Sequence, residues 1–383
     1  MKRQGSIISI IISAAILVSC NSKDINNQYA DYNGPISAEI TLEEISIEPD
    51  SVCDNLPSYY ESTIYVGQDG DTCILGYNYK THELDILNLS SLKFEQPIIL
   101  DRQGPNGITG TPIWFHQISQ DSILIGSEEQ TAYLIDSIGR VINSYSFRDN
   151  GHSTATRNAR RHIATFSHDG TTDRIFFPRE EKKNLSIAAL DMVSGKISLV
   201  GDIPGWTQRK VGFMIYPNVA YTDSTAIINF PYECKVTEIS LANGEILHQS
   251  DIPMTIMTTE TVDPGESAEE IIWRSYANPF YGDVNYLPDV NMFAQIVIGP
   301  TNCSRNDPEM QIALNRNMYM RLFDRNLNPV YEYKFNPEEY YNQGAWLFTH
   351  DGVILYHDNP LDKRERTEGV HFTRFRVKPV YSD

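Results

Sequence analysis

The residues able to do chemistry are spread thinly along this 383-residue chain. Nine histidines stand at His82, His116, His152, His162, His168, His248, His350, His357 and His371. None forms His-x-His or His-Glu-x-x-His, the spacings that aim two imidazoles at one metal ion from a single strand or helix. There is no Gly-x-Ser-x-Gly elbow and no glycine loop to cradle phosphate. Cys53, Cys73, Cys234 and Cys303 lie too far apart for a zinc motif. In an oxidising compartment they permit three disulfide pairings, Cys53 with Cys73 being the nearest in sequence; free buried thiols are the alternative. The paired carboxylates Glu128-Glu129, Glu180-Glu181 and Glu269-Glu270 read as surface charge. The sequence therefore assigns no catalytic residue, no metal and no cofactor.

Binding chemistry is better represented. Arg160-Arg161-His162 enters a strand-like run, and His116 occupies a similar place one repeat earlier, so the two imidazoles could meet near the central channel, as a metal pair or an acid–base pair. Arginine forks take carboxylates or sulfates bidentately. Four tryptophans, Trp114, Trp206, Trp273 and Trp346, fall in or beside loops. Their rings either fill gaps between packed units or form a platform that stacks on sugars. Trp206, in a polar loop with Arg209, is the one most expected to be exposed. Trp273 and Arg274 fall in a stretch expected to be helical, behind Asp263-Pro264-Gly265-Glu266 as an Asp cap with proline at the first helical position. The candidate ligand-binding set is Trp206, Arg160, Arg161, His162, His116, Arg209, Trp273, Arg274 and Trp346. Other basic residues on the same loops include Arg102, Arg157, Arg179, Lys182, Lys183, Lys210, Lys363, Arg364 and Arg366.

The elements that position these residues repeat. Asp69-Gly70, Asp121-Ser122, Asp169-Gly170, Asp223-Ser224, Asp289-Val290 and Asp351-Gly352 each follow an apolar, aromatic-rich run, at separations of 52, 48, 54, 66 and 62 residues. Short strands at such a period are the signature of a β-propeller, one blade per repeat. The third repeat shows the plan: Ile163–Ser167 as strand a, Arg174–Phe177 as b, Pro178–Asn184 as a loop, Leu185–Leu190 as c and Lys196–Val200 as d. A second turn recurs before each strand d, at residues 88–91, 136–139, 191–195, 240–244 and 324–328, rich in Asp, Asn, Ser and Gly. The sixth repeat has room for only three strands. A lone strand candidate, Ala38–Ile47, precedes the first repeat. A ring must close or leave open sheet edges, so this strand is expected to complete the last blade on its outer side. The expected fold is all-β, a six-bladed propeller over residues 37–383.

In such a blade the a–b and c–d turns share one face, and the b–c loops and blade connections share the other. The first set is short here. The second holds the long segments 148–161, 204–213, 253–280, 300–317 and 358–369. Function concentrates in long loops on a rigid scaffold.

The N-terminus begins with Lys2 and Arg3 and an apolar run from Ile7 to Val18, too short to span a bilayer and matching a secretory h-region. Leu17-Val18-Ser19-Cys20 resembles a bacterial lipobox, which implies cleavage after residue 19, lipidation of Cys20 and anchoring in a membrane, with residues 20–36 as a polar tether. Removing the leader takes the formal charge from −19 to −21, which argues against nucleic acid as a partner. Arg102-Gln103-Gly104-Pro105-Asn106-Gly107 is similar to the glycine-proline connector of uncharacterised six-bladed propeller lipoproteins from Gram-negative gut bacteria. Their pattern is closer to Gly-x-Gly-Pro-x-Glu, from which Arg102 and Gly107 depart. The resemblance implies a propeller at the cell envelope, in the outer membrane, and carries over no catalytic residue. The functional expectation is a non-catalytic module that binds a glycan or an envelope protein on the loop-rich face. The alternatives are a polysaccharide hydrolase or lyase with residues assembled in the central funnel, and a structural subunit of an outer-membrane assembly.

Overall fold

The computed structural model describes residues 36–48, 62–67, 69–147, 167–168, 174–181, 184–204, 216–222, 224–251, 266–336, 339–340, 342, 346–357, 359–362 and 369–381. Six antiparallel sheets follow one another along the chain and form the six blades of a β-propeller. The strands nearest the axis are Ser62–Val66, Pro112–Ser119, Ser167–His168, Asn218–Tyr221, Phe280–Leu287 and Trp346–Thr349. Those of blades 1 and 2, 4 and 5, 5 and 6, and 6 and 1 touch one another, which closes the ring.

The last blade closes as the repeat count requires. Its strands a to c are Trp346–Thr349, Gly352–Tyr356 and Val370–Tyr381, and its outer strand d is Ile36–Ile47, from the start of the chain. The two long strands pair without a bulge, from Ile36 opposite Tyr381 to Ile47 opposite Val370. Strand d faces two ways. Ala38, with Ile36 and Ile40, packs into the core between blades 5 and 6. Ile45 and Ile47 pack into the core between blades 6 and 1, against Ile74, Leu87, Phe94 and Phe372. Successive side chains alternate faces, so one strand binds its blade to both neighbours.

The apolar core lies between blades rather than inside one layer. Distinct clusters fill the wedges between blades 1 and 2, 2 and 3, 3 and 4, 5 and 6, and 6 and 1. Between blades 4 and 5 two smaller clusters occur, and buried amides lie in the same wedge. Asn218 donates to the Tyr281 carbonyl at 2.8 Å, and Asn229 and Gln295 donate to that of Gly282 at 2.9 Å each. Strand a of blade 5 bulges between Tyr281 and Val284, and the amides satisfy the carbonyls that the bulge takes out of the ladder.

The c–d turns are capped as their composition predicts. Asp136 accepts from the backbone of Ile138 at 3.1 Å and Arg140 at 2.9 Å, Asp324 from Asn326 and Asn328, Asp191 from Ser194, and Asn88 from Ser90 and Ser91. In two of these turns a glycine with φ near +80° lies against the outer strand of the preceding blade, Gly139 on Ile99 and Gly244 on Val200 and Gly201. A side chain would meet that backbone, so glycine serves both the turn and the blade contact.

One expectation is corrected. The loop expected at Pro178–Asn184 is largely strand: Arg174–Glu181 pairs with Asn184–Asp191 up to Glu181 opposite Asn184. Buried residues on both strands, Phe177 and Arg179 on one and Leu185, Ile187 and Ala188 on the other, carry the pairing past Pro178, which stands opposite Ile187. In blade 1 the outer strand is split into Lys93–Phe94 and Ile98–Ile99, on either side of Pro97, which has no N–H to give the ladder.

Candidate functional site

The loop-rich face carries both helices. α1, Ala268–Ala277, lies in the connection from blade 4 to blade 5, and α2, Glu309–Leu314, in the b–c loop of blade 5. The helix cap is Ser267, not Asp263: its hydroxyl accepts from the Glu270 amide at 3.2 Å. Ser267-x-x-Glu270 has the capping-box spacing, which outcompetes an Asp-Pro pair four residues earlier. Asp263 to Gly265 lie outside the described residues. The helix ends at Ala277, and Asn278 caps it by donating to the Arg274 carbonyl at 2.8 Å.

Charges tie α1 to the loop before α2. Arg274 pairs with Glu266 at 2.8 Å and with Glu270 at 3.1 Å. Arg305 pairs with Glu270 at 2.6 Å and reaches Glu269 at 3.4 Å. The hydrogen bonds from Arg305 and then Arg274 hold the Glu270 carboxyl below its usual range. Arg274, expected as an anion fork, thus spends its donors on carboxylates of its own segment. Trp273 sits half-buried on the same helix.

Beneath the end of α1 lies a second cation. Arg316 opens strand c of blade 5, Arg316–Phe323, and is buried. Its Nε donates to the Gly299 carbonyl at 2.6 Å and its Nη2 to that of Asn278 at 2.8 Å. The phenols of Tyr232 and Tyr276 are the titratable groups whose charge acts on it. Burial brings the Arg316 guanidinium down to about 10 and pushes the Tyr232 phenol up to about 12. Tyr232 hydrogen-bonds Ser275 of α1, so the b–c loop of blade 4, the helix and blade 5 meet here. Sequence reasoning missed this group because Arg316 reads as an ordinary strand residue; the signal was a cation at the first position of a strand whose other residues are mostly apolar.

The other candidates separate. His116 is half-buried on strand a of blade 2. Beside it, the Gln117 amide accepts from the Val66 nitrogen and donates to the Val66 carbonyl, each at 2.8 Å, locking the inner strands of blades 1 and 2. Trp114 packs over Gly126, where any side chain would enter its indole ring, and joins Phe147 and Phe177 in the wedge between blades 2 and 3. Trp346 packs near Gly282 in the wedge between blades 5 and 6. Both are inter-blade fillers. Cys20, Arg160, Arg161, His162, Trp206 and Arg209 lie outside the described residues, so the pairing of His116 with His162 falls there too. Cys73, Cys234 and Cys303 are free thiols; Cys53 also lies outside. Among the described residues no helix is long and apolar enough to cross a membrane, and no three His, Cys, Asp or Glu side chains converge to hold a metal ion.

On blade 1, at the same face, the Tyr77 hydroxyl meets His82 Nδ1 at 2.8 Å. His82 is buried with a φ of 62°. Burial first, and Arg102 second, lower its proton affinity.

Residues 37–225 match the sequence model of DUF4221, a domain of unknown function. The DUF4221 match runs from the closing strand through blades 1 to 3 into blade 4. It includes the connector at residues 102–107 and stops short of α1, α2 and Arg316. A crystal structure of a DUF4221 family member from Bacteroides vulgatus superposes with a TM-score of 0.73 at 15% identity, over 90% of this chain and 99% of that one. An inferred exported protein from Bacteroides fragilis gives a TM-score of 0.54 at 10% identity, over 88% and 95%. At these identities the similarity concerns the fold. No curated protein matches the sequence.

Proposed function

We propose that this chain is a cell-envelope propeller, held to a membrane through a lipid on Cys20, that binds a glycan or an envelope protein on its loop-rich face without catalysing a reaction. The observation that carries this reading is the asymmetry of the two faces. One face is built from short turns closed by their own Asp, Asn and Ser side chains. The other carries both helices and the network of Arg274 and Arg305; Arg160, Arg161, Trp206 and Arg209 are assigned to it from the sequence alone. Regular turns spend their polar groups internally, whereas long connections on a rigid ring are free to vary and to bind. The name of the Bacteroides fragilis relative, an exported protein, accords with placement in the envelope.

The test is a glycan-array screen of the full chain in detergent, with Trp206→Ala and Arg161→Ala beside it. Binding to one sugar class that both substitutions abolish is the expected result. Undiminished binding in both variants refutes the assignment of those residues. Binding to no glycan, together with a cross-linked envelope protein in intact cells, selects the protein partner instead. Release of product from any bound polysaccharide refutes the non-catalytic reading.

A further inference from the structure

Arginines of known partner in this propeller meet carboxylates. Arg321, 2% exposed, pairs with Glu332, 3% exposed, at 2.6 Å. Arg374 pairs with Asp351 at 3.0 Å, and Arg274 and Arg305 pair with the glutamates of α1. Arg316 is different. It is 6% exposed, yet among the described residues its guanidinium meets two carbonyls and no carboxylate. A buried charge is ordinarily neutralised by a partner, because the loss of hydration is otherwise uncompensated. The Asn278 carbonyl lies at the C-terminal end of α1, where the helix dipole is negative, and this offsets part of the charge. Those two bonds use Nε and Nη2, which leaves the Nη1 edge of the fork outside them.

We infer that Arg316, at the foot of α1 with Tyr232 and Tyr276 beside it, anchors a carboxylate-binding subsite, and that the ligand it takes is a uronic acid of an acidic glycan. Three features favour this class. A guanidinium edge and a carboxylate make a charge-assisted hydrogen bond of good directionality. Tyrosine offers a donor for the sugar hydroxyls and an apolar ring for the sugar face. With Nε and Nη2 already committed to carbonyls, a single carboxylate fits the remaining donors better than a dianion with oxygens on every side. Arg316 follows α2 on the loop-rich face, and Tyr276 beside it is half-buried. Burial holds the neighbouring phenols neutral, so they do not compete for the cation.

This inference rests on the glycan-binding reading above, and the experiment separates the two. The full chain in detergent is titrated calorimetrically with D-galacturonate, D-glucuronate and, as neutral controls, galactose and glucose. The expected result is binding of a uronate at least about tenfold tighter than its neutral counterpart, as expected for one hydrogen bond to a charged group. Arg316→Gln abolishes that preference, and Tyr276→Phe weakens uronate binding several-fold while leaving the unfolding temperature unchanged. If Arg316→Gln fails to fold, Tyr276→Phe decides. Equal affinity for uronate and neutral sugar, or uronate binding unchanged in Tyr276→Phe and in folded Arg316→Gln, overturns the inference. Array binding of a neutral glycan that ignores Arg316 overturns it and leaves the binding-module reading standing. Arg316-dependent uronate binding without array binding of any polymer supports the subsite and refutes the glycan reading.

Discussion

Replacing Ile45 and Ile47 together by alanine tests how the ring is closed. Both residues are almost fully buried, at 5% and 3% exposure, on the strand that the chain's start lends to blade 6. Each substitution removes three carbons from the wedge between blades 6 and 1. At about 0.8 kcal/mol per buried methylene the pair loses about 5 kcal/mol of transfer free energy. Cavity terms add to this, because the walls at Ile74, Leu87, Ile354 and Phe372 are themselves fully buried and relax only in part. The two sites share neighbours, so their effects do not simply add. A loss of about 4–8 kcal/mol is expected, a large part of the 5–15 kcal/mol that ordinarily holds a domain folded. Leu42 lies on the same strand at 40% exposure, and Leu42→Ala should cost within about 0.5 kcal/mol. Urea unfolding followed by far-ultraviolet circular dichroism measures both. A double variant within about 1 kcal/mol of the parent, or a Leu42 variant equally damaged, would refute the account of strand 36–47 as the staple between blades 5, 6 and 1.

Three further outcomes follow from other parts of the ring. Gly126→Ala forces a methyl into the Trp114 indole and should destabilise by about 1–3 kcal/mol or more, with a change in tryptophan fluorescence; an unaltered unfolding midpoint counts against Trp114 as a wedge filler. His82 is buried, and its folded proton affinity is lowered by burial and by Arg102. The unfolded chain therefore binds its proton more readily, so this contribution to stability is complete above about pH 6.5 and is lost as pH falls from there towards the folded value. His82→Asn, which keeps a residue tolerant of positive φ, should flatten the slope of stability against pH in that window, and an unchanged slope assigns it to other groups. Cys73 is fully buried, and burial raises its thiol to about 11. Maleimide labelling followed by peptide mass analysis should modify Cys234 and Cys303 first and reach Cys73 only on unfolding; rapid labelling of Cys73 in the native protein contradicts its placement.

What the chain's order alone carries is the repeat. Asp and Gly at tight turns act through local backbone preferences and through side chains that bond amides two to four residues away, as Asp136 and Asp324 do. Such interactions need no distant partner, so their spacing discloses six blades, the missing strand of the sixth and the face that bears the long loops. The start of α1 at Ser267 was legible in the capping spacing though overshadowed by Asp263-Pro264. Only the folded ring decides the rest. Trp114 and Trp346 look like binding aromatics in one dimension and become packing between blades once Gly126 and Gly282 lie beside them. Arg274 looks like a free fork until Glu266 and Glu270 occupy it. Arg316 looks like an ordinary strand residue until Tyr232, Asn278 and Gly299, each from a different segment, enclose it. Burial and charge pairing depend on groups tens of residues apart, and no local pattern in the chain encodes their meeting.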